Sequence, residues 1–295
     1  VIRENKMTDL CGIRYISCDM EEFPDKLRGL SEPVEGIYVK GNADLLYKRS
    51  IAIVGSRRCS EYGKRVAMKI GGAAVANGLC VISGMAIGID NFAHRGALSE
   101  GGKTLAVLGT GPDICYPPQH RKLYEEICDK GLIVSEYPPG TEAMPFRFPQ
   151  RNRIIAGLSE AVVVVEARAG SGSLITAEYA DNQSKPVFAV PGNITSQYSL
   201  GTNRLITEGA QAVAVVDDIF NYLGIQPSAS GEELEELGED ERRVYEYVKS
   251  NGEVFSDEIC SKLEMDPFLV NSITSILEIK GFVSFSMGRI MAVKF

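Results

Sequence analysis

The chain has 295 residues, 44% of them hydrophobic, seven cysteines and a formal net charge of −8. That length can bury a sizeable core and suggests one large domain plus a small one. No stretch approaches a membrane span, no basic segment precedes an apolar run near the start, and no C-x-x-C pair offers a zinc or disulfide framework, so a soluble, cytoplasmic protein without metal or cofactor is expected.

The first residue is Val1 rather than Met, as in a trimmed sequence. Gly12–Ile16 and Gly36–Lys40 read as strands around a short helix near Phe23–Leu30. From Ser50 to Leu223, apolar runs of strand length alternate with helical segments, the pattern of a doubly wound α/β domain whose parallel sheet is covered on both faces. The expected strands are Ile51–Val54, Leu79–Ile82, Thr104–Leu108, Leu132–Val134, Ala161–Val165, Val187–Val190 and Ala212–Val215. Helical spacing falls at Glu61–Asn77, Ile89–Glu100, Arg121–Lys130, Ser173–Ser184 and Arg204–Glu208.

Nearly every strand ends in small residues, among them Gly55-Ser56, Ser83-Gly84 and Gly170-Ser171-Gly172-Ser173. Ligands of open α/β sheets bind at that edge, where glycine lets backbone N–H groups approach an anion. The first loop, Gly55-Ser56-Arg57-Arg58, lacks G-x-G-x-x-G and so is no dinucleotide fingerprint; it reads as a Gly-Ser turn with arginine beside it, suited to phosphate. Residues 171–173 read as a phosphate loop or as a tight turn with Ser173 as N-cap.

Phe146–Arg153 sets three arginines and two phenylalanines within eight residues of an acidic protein. Guanidinium forks match phosphate oxygens and exposed rings stack on bases. Single-stranded nucleic acid or a nucleotide is one reading, and a helix start with ordinary surface arginines and a core Phe is the other.

Catalytic groups are scarce. His94, one helical turn after Asp90, reads as a local pair, His120 lies in a loop, and no H-E-x-x-H, G-x-S-x-G or Walker sequence occurs. Binding without catalysis is therefore expected.

Residues 227–240 read as an acidic linker. Residues 241–295 read as a winged helix: helices near Glu241–Lys249 and Asp257–Leu263, a third opened by Asp266 and Pro267 and closing at Lys280-Gly281, then a hairpin of Phe282–Ser286 and Ile290–Lys294. From Ser228 onward there are 7 Lys+Arg against 14 Asp+Glu, which leaves 24 against 25 for the rest. So acidic a module argues against duplex groove reading, which draws much of its affinity from phosphate contacts.

The ordered series Gly-Ser-Arg (55–57), Ser-Gly-Met-Ala-Ile-Gly-Ile-Asp (83–90), Phe-Pro-Gln-Arg-Asn-Arg-Ile-Ile (148–155), Ser-Gly-Ser-Leu-Ile-Thr-Ala (171–177), Val-Pro-Gly-Asn (190–193) and Gly-Thr-Asn (201–203) resembles the bacterial DNA-processing protein A family (DprA, also called Smf). The resemblance spans roughly Gly36 to Gly224. It implies an extended Rossmann domain over 1–226 that binds single-stranded DNA without sequence preference, forms homodimers and loads the RecA recombinase on DNA taken up in natural transformation. It also implies DNA contacts for Arg57, Phe148, Arg151, Asn152 and Arg153. The residues themselves add Gly55, Ser56, Arg58, Ser83, Gly84, Ser171, Gly172 and Ser173, with no catalytic residue.

The competing expectation is a nucleoside-monophosphate phosphoribohydrolase of the lysine-decarboxylase-like type, whose loop reads P-G-G-x-G-T-x-x-E. Here Arg168-Ala169-Gly170-Ser171-Gly172 and Glu178 lack the leading Pro-Gly-Gly and shift the threonine.

Overall fold

The computed structural model describes residues 12–225, 237–280, 282–286 and 288–292. Its contacts divide the chain into two compact units, Val1–Gln226 and Pro227–Phe295.

In the first unit, β1 (Ile13–Ser17), α1 (Asp25–Arg28) and β2 (Gly36–Gly41) precede β3 (Ser50–Val54), α2 (Glu61–Ala76), β4 (Cys80–Ser83), α3 (Ile89–Ser99), β5 (Thr104–Leu108), α4 (Arg121–Lys130) and β6 (Leu132–Ser135). Then come α5 (Arg147–Leu158), β7 (Ala161–Val164), α6 (Gly172–Asn182), β8 (Val187–Ala189), α7 (Leu200–Thr207), β9 (Gln211–Ala212) and α8 (Asp217–Tyr222). The strands form a nine-stranded sheet ordered β1-β2-β6-β5-β4-β3-β7-β8-β9.

Seven strands, β3 to β9, are parallel, but β2 pairs antiparallel with both β1 and β6. The sheet is therefore mixed rather than purely parallel. An antiparallel pair needs no long crossover, so β1 and β2 extend the sheet at β6 with only the four-residue α1 as a helix between them.

Alternation along each strand sends side chains to two cores. Ala52, Val54, Leu105 and Val107 join the core under α1, α5 and α6, while Ile51 and Ile53 join the core under α2, α3 and α8. Ala106, Leu108 and Ile133 meet α4 in a smaller cluster. With both faces covered, the inner strands are apolar but for a Ser or Thr at one end of several, which is why they read as near-continuous runs.

Helix α5 carries the basic-aromatic segment into the interior. Pro149 falls in its first turn, where the missing N–H costs no hydrogen bond. Every residue from Arg151 to Leu158 is buried. The reading of ordinary surface arginines fails for Arg151 and Arg153, which lie inside the fold.

Beside β3 the chain order reverses: β4, β5 and β6 follow on one side, β7, β8 and β9 on the other. The loops after β3 and β7 thus splay apart at a topological switch point and leave a crevice between them.

The second unit holds α9 (Glu239–Asn251), β10 (Glu253–Val254), α10 (Ser256–Leu263), α11 (Pro267–Ile279), β11 (Val283–Ser286) and β12 (Arg289–Ala292), with sheet order β10-β12-β11. Strand β10 is absent from the sequence reading, being two residues long. Val244, Val248, Ile259, Val270, Ile273, Leu277 and Ile290 form its core. Asp266 caps α11 by accepting from the amides of Phe268 at 2.8 Å and Leu269 at 3.4 Å. Lys280, the cation expected at the end of this helix, is paired with Glu241 at 2.7 Å. Exposed apolar side chains stand on α11 beside Asn271, Ser275 and Glu278, with Phe268 81% and Ile279 86% exposed. Of the expected linker, residues 227–236 lie outside the described residues, as do Gly281, Met287 and residues 293–295 of the hairpin.

Candidate nucleic-acid interface

A cavity of about 530 Å³ occupies the switch-point crevice. Its wall includes Gly55, Ser56, Arg57 and Arg58 after β3, Phe148, Arg151 and Asn152 of α5, Arg168 after β7, and the Gly170–Ser173 loop that opens α6. Asp90, near the start of α3, is the carboxylate residue in that wall.

Arg151 forms the floor. It is 4% exposed; its Nη1 donates to the Gly84 carbonyl at 2.8 Å and to the Val107 carbonyl, and its Nε donates to Asn152 Oδ1 at 3.2 Å. Burial brings the guanidinium down to about 10, opposed by the nearby Asp90 carboxylate. Asp90 Oδ2 accepts from the amides of Gly84 at 3.1 Å and Ala86 at 3.3 Å. Burial pushes its carboxyl up, and Arg151 opposes that shift.

Phe148 is half-buried and stands among three neighbours. Its ring stacks on Tyr116, with centroids 5.3 Å apart and planes 29° from parallel, and the Arg57 guanidinium lies 5.4 Å from its centroid. A Cβ on Gly109 would come within 2.8 Å of the same ring. Tyr116 is 41% exposed and Phe146 is 55% exposed. The open aromatic surface beside the cavity therefore belongs to Tyr116 and Phe146 as much as to Phe148.

Arg168 closes the other wall, its guanidinium 4.8 Å from the Tyr198 ring centroid and its buried Nε without a hydrogen-bond partner among the described residues. Arg57, Arg58, Arg151 and Arg168 are absent from the ion pairs of the described residues, which take up Arg28, Arg49, Arg121, Arg153, Arg204, Arg243 and Arg289 elsewhere.

Several residues expected at the ligand lie behind this wall. Arg153 pairs with Glu136 at 2.6 Å and Glu32 at 3.7 Å and donates to the Glu32, Pro33 and Gln150 carbonyls, so its fork is spent on the scaffold. Ser83 is buried with its hydroxyl on the Ile53 carbonyl at 2.7 Å, and the Gly84 amide is taken by Asp90. Asn152 lines the cavity, but its Nδ2 donates to Gly172 O at 3.1 Å, which makes it a strut between α5 and the glycine loop.

The Ser56 amide donates to Glu166 O at 2.7 Å, and the Arg58 amide to Ser56 Oγ at 3.2 Å, so these two turn donors are used internally. Helix α6 starts at Gly172 with Ser171, not Ser173, as its N-cap residue; the two serine hydroxyls bond each other at 2.9 Å.

Asp90 and His94 do not pair. Thr104 Oγ1 donates to Val81 O at 2.7 Å, so it accepts from His94 Nδ1 at 2.7 Å, leaving Nε2 as a buried lone pair without a partner among the described residues. Burial lowers His94 to about 3, and the imidazole is neutral.

The sequence profile of the DNA recombination-mediator protein A family matches residues 14–224, a span that encloses the whole cavity wall. The chain belongs to that family. It is 46% identical over 184 residues to the DNA processing protein DprA of Streptococcus pneumoniae, covering 62% of this chain and 65% of that one. It is 40% identical over 218 residues to protein Smf of Synechocystis, covering 72% and 55%. The match thus spans less than two thirds of either relative's length.

Similar solved structures include two of DprA. The DprA structure from Streptococcus pneumoniae has a TM-score of 0.69 at 41% identity and covers 72% of this chain and 75% of that one. The DprA structure from Helicobacter pylori, described for its unique single-stranded DNA binding mode, has a TM-score of 0.65 at 31% identity and covers 71% and 95%.

In this DNA recombination-mediator A chain, Glu178 is exposed and lines a separate cavity with Asp181, Lys185 and Arg204. It stands outside the wall that holds Arg57, Phe148 and Arg151, so the glutamate a phosphoribohydrolase would need is not at the switch point. Sequence reasoning overlooked Arg168 and Tyr116 as site residues. Both follow the C-terminal ends of sheet strands, β7 and β5, and that position was the available signal.

Proposed function

We propose that this protein binds single-stranded DNA, without sequence preference, at the switch-point cavity, and acts as a non-enzymatic mediator of recombination. The observation that carries the reading is the convergence of four guanidinium groups, unmatched by ion pairs among the described residues, on one cavity of an otherwise acidic chain. Phosphates meet Arg57, Arg58 and Arg168, and a base stacks on the Tyr116–Phe148 pair, the combination that single-strand binders use. The single-stranded DNA binding named for the Helicobacter pylori DprA structure supports this reading.

Within it, the protein works as a homodimer that delivers DNA to RecA in natural transformation, as its family resemblance implies. The second unit is a winged helix that takes no primary part in strand binding, since Lys280 is tied to Glu241 and the outward side chains of α11 include Phe268 and Ile279.

The test is fluorescence anisotropy with a labelled oligothymidylate, run in parallel with an assay for free base released from adenosine monophosphate. Salt-dependent strand binding with no base release supports the proposal. Base release without strand binding overturns it in favour of the hydrolase.

A further inference from the structure

The cavity holds about 530 Å³, within the range of roughly 300–1,000 Å³ that small-ligand sites occupy. On that scale it admits about one nucleotide. Its charge is large for so small a space. Arg151 has Asp90 as its neighbour in the floor, but Arg57, Arg58 and Arg168 face the same compartment with no carboxylate at ion-pair distance among the described residues. The Gly170–Ser173 loop adds the positive end of α6, where the Ser171 side chain caps none of the first amides.

One internal phosphodiester brings a single negative charge into this compartment. A phosphate monoester brings about −1.5 to −2 at pH 7 and a third strong acceptor oxygen. The buried Nε of Arg168, without a hydrogen-bond partner among the described residues, is a donor that a bound acceptor would satisfy.

We infer that the cavity is a receptor for a phosphate monoester, carried either by the end of a strand or by a free nucleoside monophosphate. The protein accordingly prefers phosphorylated strand ends over interior backbone. This deepens the single-strand reading and rests on it.

The experiment uses the whole chain and short labelled oligothymidylates ending in a 5′-hydroxyl, a 5′-phosphate or a 3′-phosphate, with deoxyadenosine monophosphate as competitor. A terminal phosphate should tighten binding about tenfold or more, the worth of one further charge-assisted contact. The gain should shrink below about pH 6, where the monoester dianion takes up a proton and falls to a single charge, while the hydroxyl-ended strand shows no matching change. Arg168→Gln should cost the phosphate-ended oligomer more affinity than the hydroxyl-ended one.

Displacement by deoxyadenosine monophosphate supports the inference with free nucleotides as a source; a gain confined to phosphate-ended oligomers supports it with strand ends as the source. Equal affinity for all three oligomers, with no displacement, overturns the inference and leaves the single-strand reading standing. Failure of every oligomer to bind overturns that reading itself.

Discussion

Arg151 and Asp90 grip the same residue from its two sides: the arginine donates to the Gly84 carbonyl at 2.8 Å, and the aspartate accepts from the Gly84 amide at 3.1 Å. The peptide between these buried charges cannot shift without breaking one of the two bonds. A Cβ on Gly84 would lie 2.5 Å from Arg151 Nη2, so only glycine lets the guanidinium lie this close.

Arginine 151 and arginine 57 should therefore behave differently when removed. Arg151→Ala removes the buried donor to the Gly84 and Val107 carbonyls, a loss of about 1–3 kcal/mol of stability. Arg57→Ala should leave stability within about 0.5 kcal/mol and flatten the log–log salt dependence of strand binding by about 0.7. Urea denaturation beside anisotropy titrations separates the two; an unchanged urea midpoint for Arg151→Ala would disprove its role in the floor.

Gly109→Ala should injure the site more than the fold. The new methyl meets the Phe148 ring at 2.8 Å, and that ring is only half-buried, so it can swing outward. Strand affinity should fall while the thermal midpoint moves little. Adding Phe148→Leu should restore none of the affinity, because the smaller side chain relieves the clash and removes the platform; full recovery in that double variant would show that the ring has no part in binding.

Tyr116→Ala should cost roughly 1–3 kcal/mol of strand affinity with little change in salt dependence, the signature of lost stacking. Tyr116→Phe should bind like the parent. Quenching of an aminopurine-labelled strand reads stacking directly, and undiminished quenching in Tyr116→Ala would exclude this ring as the platform.

His94 sets a pH limit on the fold. Its native value of about 3 lies below the value of about 6.5 for an unfolded histidine. The unfolded chain therefore binds a proton that the native one refuses, so its contribution to stability is intact above about pH 6.5 and is lost as pH falls toward about 3, by up to about 1.4 kcal/mol per pH unit. Asp90 has the opposite sign: burial raises its carboxyl, so its contribution favours the fold as pH falls toward the unfolded carboxyl value of about 3.9. Stability measured by urea from neutral to about pH 4 should decline, and His94→Gln should flatten the decline; an identical slope in that variant would remove His94 as its cause.

Much of this was legible in the sequence. The unbroken apolar runs at Ile51–Val54 and Ala161–Val165 marked strands buried on both faces, and small residues at their ends marked the ligand edge. What escaped was the fate of the arginines. Composition places a guanidinium outside by default, and whether Arg151 or Arg153 turns inward depends on carbonyls and carboxylates at Gly84, Val107, Glu32 and Glu136, which lie 17 to 121 residues away in the chain. The antiparallel attachment of β2 was hidden for a similar reason, because a strand's own residues do not state its direction.

Arg153 bears on how mutational surveys of this family are scored. Held by Glu136 and by the Glu32 and Pro33 carbonyls, it ties the stretch ahead of β2 to α5, so its replacement would lower recovery of DNA through loss of correctly assembled protein. A survey counting only retained DNA would place it beside Arg57 on the interface; counting soluble, protease-resistant chain in the same samples would sort the fastening arginine from the binding one.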